Sequence, residues 1–330
     1  MEEPAPESVS ETLQPPPEHR SLSTIVFGGP NGIRAGWRLL LFLSIAAVFL
    51  LILGSFLYRL GRLSHGGGLT PASAALGEGS ISLALLLSAA VMARIEKRSL
   101  ADYAMPARGA LGRQFWQGVV WGFLAVSALL LVMNLAHGFS FGTIALHGPK
   151  LVYYACAWAA AFLTVSFTEE LLFRGYTLFT LSTGIGFWPA AILLSALFGS
   201  IHLQNRGETW LGALSAALIG LFFCLTVRRT GGVWFAIGLH FMWDYSESFL
   251  YSVPDSGTMV RGHLLNSAFN GPDWLTGGPA GPEGSALIFV VIVAFFVLFN
   301  RFYGEARFPR TGQIPPRDRR SQSKIAGDSD

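Results

Sequence analysis

The chain has 330 residues, of which 52% are hydrophobic and only 13% charged, and its mean hydropathy is +0.47; this is too apolar for a soluble domain of that length and points to a polytopic membrane protein. The net charge of +3 and a sequence pI near 9.0 do not indicate nucleic acid, because Lys and Arg stand in short clusters beside apolar runs instead of along one face. Both cysteines, Cys156 and Cys224, lie inside apolar runs, which argues for buried thiols and against a disulfide framework or a CxxC metal site.

In chain order, residues 1–33 open M-E-E-P-A-P-E-S and pass through Pro15, Pro16 and Pro17, a composition expected of a disordered cytosolic tail. The first apolar run begins near Gly36 and is full length, so an uncleaved span is expected there and not a signal peptide. Apolar stretches follow at 37–58, 71–93, 115–136, 151–172, 187–203, 210–227, 233–251 and 285–302, which predicts an all-α domain of about eight transmembrane helices over 34–303. Segment 252–284, with P-D-S-G and G-G-P-A-G-P-E-G, reads as a turn-rich external connection. Residues 304–330 read as a disordered basic cytosolic tail drawn to anionic lipid.

With both termini in the cytosol, Arg59, Arg62, Lys150, Arg206 and Arg261 fall on the far side, and the rest of the 23 basic residues, Arg174 among them, fall on the side of the termini. That asymmetry satisfies the positive-inside rule for an integral, multi-pass protein.

Three groups of polar residues interrupt the apolar runs. The first is F-T-E-E-L-L-F-R-G at 167–175, where each carboxylate costs about 2.5–3.5 kcal/mol on insertion scales and calls for a partner or a task. Helical positions four apart share a face, so Glu170 is expected to pair with Arg174 while Glu169, rotated by about 100°, stays free to act as a general base. The second is His202 in F-G-S-I-H, one turn after Phe198. The third is His240 with Asp244 in H-F-M-W-D, again four apart, with Glu247 following near the helix end.

Each group also has a structural reading: an interhelical hydrogen bond for His202, an ion pair for Glu170 and Arg174, and a helix clip for His240 and Asp244. Their concentration on three spans favours one shared polar site. Glu169, His202, His240 and Asp244 suffice for a divalent metal such as zinc with an open position, or for a metal-free site in which Glu and His activate water; either route hydrolyses a carbonyl compound. No HExxH, GxSxG or Walker loop is present. A proton- or ion-coupled transporter is the alternative from another class, although no inverted repeat or matching pair of broken helices is visible; a non-catalytic scaffold or immunity protein is the third.

With the fourth span ending at Leu172, Glu169 and His202 would lie at different depths. Tilt, a shifted fifth span, or a fourth helix running on to about Leu181 is needed to bring them level.

At these residues the sequence resembles the CPBP family of intramembrane proteases (CAAX protease and bacteriocin-processing, or Abi), which includes the type II CAAX prenyl endopeptidases. The family pattern E-E-x-x-x-R, F-x-x-x-H and H-x-x-x-N/D is met by Glu169, Glu170 and Arg174, by Phe198 and His202, and by His240 and Asp244, within about 150–250. The entry at 34–42 also looks like that of bacterial members, which implies a bacterial plasma membrane.

The resemblance implies glutamate-dependent hydrolysis of membrane-embedded or lipidated protein or peptide substrates. Glu169 with His202 would activate water, Glu170 and Arg174 would set the helix geometry, and His240 with Asp244 would bind metal or stabilise the oxyanion. Asp244 stands where prenyl-protease members more often have Asn, which favours metal binding or a hydrogen bond to His240 over a neutral oxyanion donor. Lipids and such substrates are the expected partners; nucleic acid is not.

Overall fold

The computed structural model describes residues 28–29, 32–60 and 70–309. Most of the two expected tails lies outside the described residues, as do Arg20, Arg62, Arg310, Arg317, Arg319, Arg320 and Lys324. The described ends of those tails carry structure: Gly28–Gly29 pairs antiparallel with Gly32–Ile33, and the amides of Arg307 and Phe308 donate to the carbonyl of Arg228. Phe308 is buried.

The protein is an all-α polytopic membrane protein. Its helices are α1 (Ala35–Arg59), α2 (Pro71–Ile95), α3 (Arg113–Leu135), α4 (Gly148–Arg174), α5 (Tyr176–Ile185), α6 (Phe187–His202), α7 (Trp210–Thr230), α8 (Trp234–Tyr245) and α9 (Ile288–Phe302), with a π turn at Ser246–Leu250 continuing α8. All eight apolar stretches form helix, but among the described residues five helices, with Gly148–Ile185 taken as one, are long and apolar enough to cross a membrane. The shorter ones are α6 with 16 residues, α9 with 15, and α8 with 12 plus the π turn's 5. At 1.5 Å per residue these reach about 22–26 Å, less than the roughly 30 Å hydrocarbon core.

Local chemistry sets the helix ends. Thr70 and Ser73 form a capping box ahead of Pro71, and the Thr209 side chain accepts from the Gly212 amide. On α9, Ile288, Ile292, Phe295 and Phe299 form the buried stripe expected of period 3.6, while Val290, Val293 and Val297 face outward. In α1 only Phe42 and Ala46 are buried; Leu51, Ile52 and Phe56 are exposed, the pattern of a lipid-facing helix.

Small residues bring the site-bearing helices close. A Cβ on Gly118 would lie 2.2 Å from the Phe235 carbonyl oxygen, and one on Gly238 would lie 2.1 Å from that of Phe115. Backbone contact therefore fixes α8 against α3, in the manner of small-residue packing in membranes. On the other side of the site, Ser82 bonds Thr168 at 2.7 Å and Thr168 donates to the Glu78 carbonyl, which seats α4 on α2 one residue before Glu169.

The depth conflict is resolved by the fourth helix. The chain leaves helical geometry only at Gly175, where ψ is −124°, and resumes as α5 until Gly186, whose φ of +90° makes the tight turn into α6. Counted from that turn, Glu169 and His202 each lie about 23 Å along their arms, at a common level. The turn end also gathers much of the basic charge. Arg38 donates to both oxygens of Glu96 and to Thr183, and Arg229 bonds Asn300 and the Gly304 carbonyl. Arg174 does not belong to a loop on this side, as the charge count had placed it; it is fully buried inside the bundle.

At the opposite end, segment 252–284 is not a free connection. It pairs Ala268–Phe269 with Phe139–Ser140, donates from Gly257 to the Ala280 carbonyl, and receives the Trp158 indole N–H on the Arg261 carbonyl. This folded cover closes the end of the bundle above α6, α7 and α8.

Candidate active site

Beneath the cover is a cavity of about 170 Å³ whose lining includes Glu169 of α4, Phe198 and His202 of α6, Phe223 of α7, and His240, Trp243 and Asp244 of α8. Asn205, Ser248, Asp255, Ser256 and Glu283 complete its roof. The four residues expected to share a polar site thus line one cavity. Glu170 and Arg174 do not line it and form its floor.

That floor is dry. Arg174 and Glu170 are both fully buried, with Nη1 of Arg174 donating to Oε1 of Glu170 at 3.0 Å. The guanidinium lies 4.5 Å from the Phe198 ring centroid and 5.2 Å from that of Phe223, positions that add cation–π attraction. Gly220 leaves room for it, since a Cβ there would sit 2.7 Å from Nη2. The same Oε1 of Glu170 accepts from His240 Nδ1 at 3.1 Å, a contact that i,i+4 spacing did not suggest.

Those bonds fix both imidazoles. A carboxylate only accepts, so His240 carries its proton on Nδ1 and turns Nε2 to the cavity. His202 Nδ1 likewise donates to the Phe198 carbonyl at 2.7 Å and leaves Nε2 free. His240 Nε2 stands 3.6 Å from Oε2 of Glu169 and 3.6 Å from Oδ2 of Asp244. Oε2 of Glu169 is buried and has no hydrogen-bond partner. One imidazole nitrogen and two carboxylate oxygens that converge in this way call for a positive charge among them, a proton on Nε2 or a cation.

Two imidazoles and two carboxylates are donors of the kinds a divalent ion takes, and each histidine has its other nitrogen held by an oxygen, but among the described residues the ligand atoms that lie within 4.8 Å of one another are those of Glu247, Asp255 and Glu283 and not of these four. The set suits metal-free water activation, in which Glu169 takes the proton.

Sequence reasoning missed the roof. Asp255 and Glu283 reach the cavity from segment 252–284, where Gly, Pro and Ser signalled turns and nothing signalled that the turns fold inward. Asn205, three residues past the end of α6, donates to the Ser256 carbonyl at 2.9 Å and ties the two roof segments together.

Residues 151–246 match the family model described as type II CAAX prenyl endopeptidase Rce1-like. The matched segment contains every residue of the three motifs, from Glu169 to Asp244. No curated protein and no solved structure matches the chain.

Proposed function

From the match of residues 151–246 to the type II CAAX prenyl endopeptidase Rce1-like family model, we propose that the protein is an intramembrane endopeptidase that cleaves membrane-associated peptides or lipidated, CAAX-like ones. The observation that carries this reading is the convergence of Glu169, His202, His240 and Asp244 on one cavity of about 170 Å³ inside a helical bundle.

In this reading Glu169 accepts a proton from water, and the resulting hydroxide attacks the peptide carbonyl. His202 Nε2, its lone pair aimed by the Phe198 carbonyl, orients that water. His240, its Nδ1–H held by Glu170, donates from Nε2 as the imidazolium to the developing oxyanion; Arg174 neutralises Glu170 and keeps the imidazole in place. A divalent metal such as zinc, held by Glu169, His202, His240 and Asp244, would polarise the carbonyl and acidify water. The protonated Glu169 then gives its proton to the leaving amine.

The cavity lies at the end of the bundle away from the basic cluster. With the basic end in the cytosol, substrates enter from the membrane's outer half, which suits membrane-embedded peptides better than C-terminal tails presented by cytosolic proteins.

The test is cleavage of internally quenched peptides by the full chain in lipid vesicles, each peptide offered with and without a prenylated cysteine. Glu169→Gln should lower the rate by about 10²–10⁴-fold while circular dichroism stays that of the native protein. Undiminished cleavage by a folded Glu169→Gln protein refutes the proposal, and separates it from a scaffold that uses the same fold. In the metal-dependent form, a chelator abolishes cleavage and zinc restores it.

A further inference from the structure

A second set of acids lies just outside the catalytic four. Glu247, on the π turn, and Asp255 and Glu283, from the cover, each bring a carboxylate oxygen to within 4.8 Å of the others. Two of the three are held by hydrogen-bond donors. Glu283 accepts from Trp243 Nε1 at 2.9 Å, from the Ser256 amide at 3.0 Å and from Ser256 Oγ at 2.6 Å, and Asp255 accepts from Ser248 Oγ at 3.2 Å.

Glu247 differs. Its side chain is fully buried, and neither Oε1 nor Oε2 has a hydrogen-bond partner. The Trp243 indole N–H points at Glu283 at 2.9 Å and is at most shared with Glu247. Among the described residues no Arg, Lys or His forms a salt bridge with any of the three. A carboxylate buried with both oxygens unmet is costly without a cation or proton beside it.

We propose that Glu247, Asp255 and Glu283 form a site for a hard divalent cation of the calcium class, separate from the catalytic centre. The donors on offer are all oxygen, whereas the catalytic four include two imidazoles, so the two sites select different metals. Three carboxylates leave coordination places for water from the adjoining cavity, which Asp255 and Glu283 line while Glu247 does not. The ion would bridge the end of α8 to both ends of the cover, and so hold the roof of the cavity on the bundle. The proposal is independent of the proposed activity.

Metal binding to the detergent-solubilised full chain, stripped with EDTA and dialysed against radioactive calcium, tests it. One saturable calcium per chain is expected, with an unfolding temperature that rises with the logarithm of calcium concentration. Glu247→Gln should abolish both effects, and because it removes an uncompensated carboxylate the variant should fold at least as well as the stripped native chain. Glu169→Gln should leave both effects intact. The site is overturned if the folded native chain binds neither calcium nor magnesium up to about 10 mM, well above the dissociation constants of the weakest protein calcium sites. It is also overturned if Glu247→Gln binds as well as the native chain, or if Glu169→Gln loses the ion while Glu247→Gln keeps it.

Discussion

Two Arg–Glu pairs sit at different levels of the bundle. At the basic end, Glu96 is saturated: Oε1 accepts from Arg38 Nε at 2.8 Å and from Tyr176 at 2.5 Å, and Oε2 accepts from Arg38 Nη2 at 2.6 Å and from Tyr103 at 3.0 Å. Beneath the cavity, Glu170 and Arg174 share one contact, and Oε2 of Glu170 and Nε and Nη2 of Arg174 are buried without partners. The first pair is a bidentate clasp joining α1, α2 and α5. The second gives up hydrogen bonds to hold His240, and unmet polar groups of this kind mark a site where position matters more than stability.

Removing one partner from each pair measures that difference. Arg174→Met should cost the most, about 3–5 kcal/mol, because it strands Glu170 as a fully buried charge; thermal unfolding in detergent reads the loss. Cleavage should fall with it, since His240 loses its fixed acceptor.

Glu96→Gln leaves one carbonyl oxygen where Tyr103, Tyr176 and Arg38 now share two, and turns an NH2 toward an Arg38 N–H, so it should cost about 1.5–3 kcal/mol and leave the cleavage rate of the folded fraction unchanged. If the two substitutions cost the same and slow cleavage alike, the contrast between clasp and floor fails.

The smallest effect is a pH dependence at Glu208, in the link between α6 and α7. Burial pushes its carboxyl up to about 7, with the Thr209 amide pulling the other way and Glu283 adding to the rise. The folded state therefore holds that proton more tightly than the unfolded chain does. Its stabilising contribution is full below the ordinary value of 4.5 and is lost as pH rises through about 7. Unfolding temperatures taken across that window should fall with pH in the native chain relative to Glu208→Gln, and parallel curves would rule the effect out.

The helical spans and the facing of Glu170 to Arg174 were legible because both follow from spacing within one segment. Apolar run length gives the spans, and the four-residue repeat gives the pair. What lay beyond the sequence depends on packing between segments. The bond from His240 to Glu170 exists because glycines let α8 press against α3 at the right height, and glycine spacing alone does not set that height. The full length of the fourth helix was obscured by Gly175, which reads as punctuation yet only bends a helix that continues to Ile185. Asp255 and Glu283 were hidden because a turn that folds inward has the same composition as one that faces solvent.

The turn at Gly186 carries a consequence for how this chain tolerates change. Glu169 and His202 face each other because the two arms of one hairpin are counted out to equal length from a turn with no slack. One residue inserted between Gly186 and His202 would swing the imidazole by about 100° and shift it 1.5 Å, and four would restore its direction but leave it about 6 Å too far along. The stretch from 169 to 202 is thus a ruler: its letters can change outside the residues that build the site and the turn, its number of marks cannot, and length variation is left to the links between helices elsewhere.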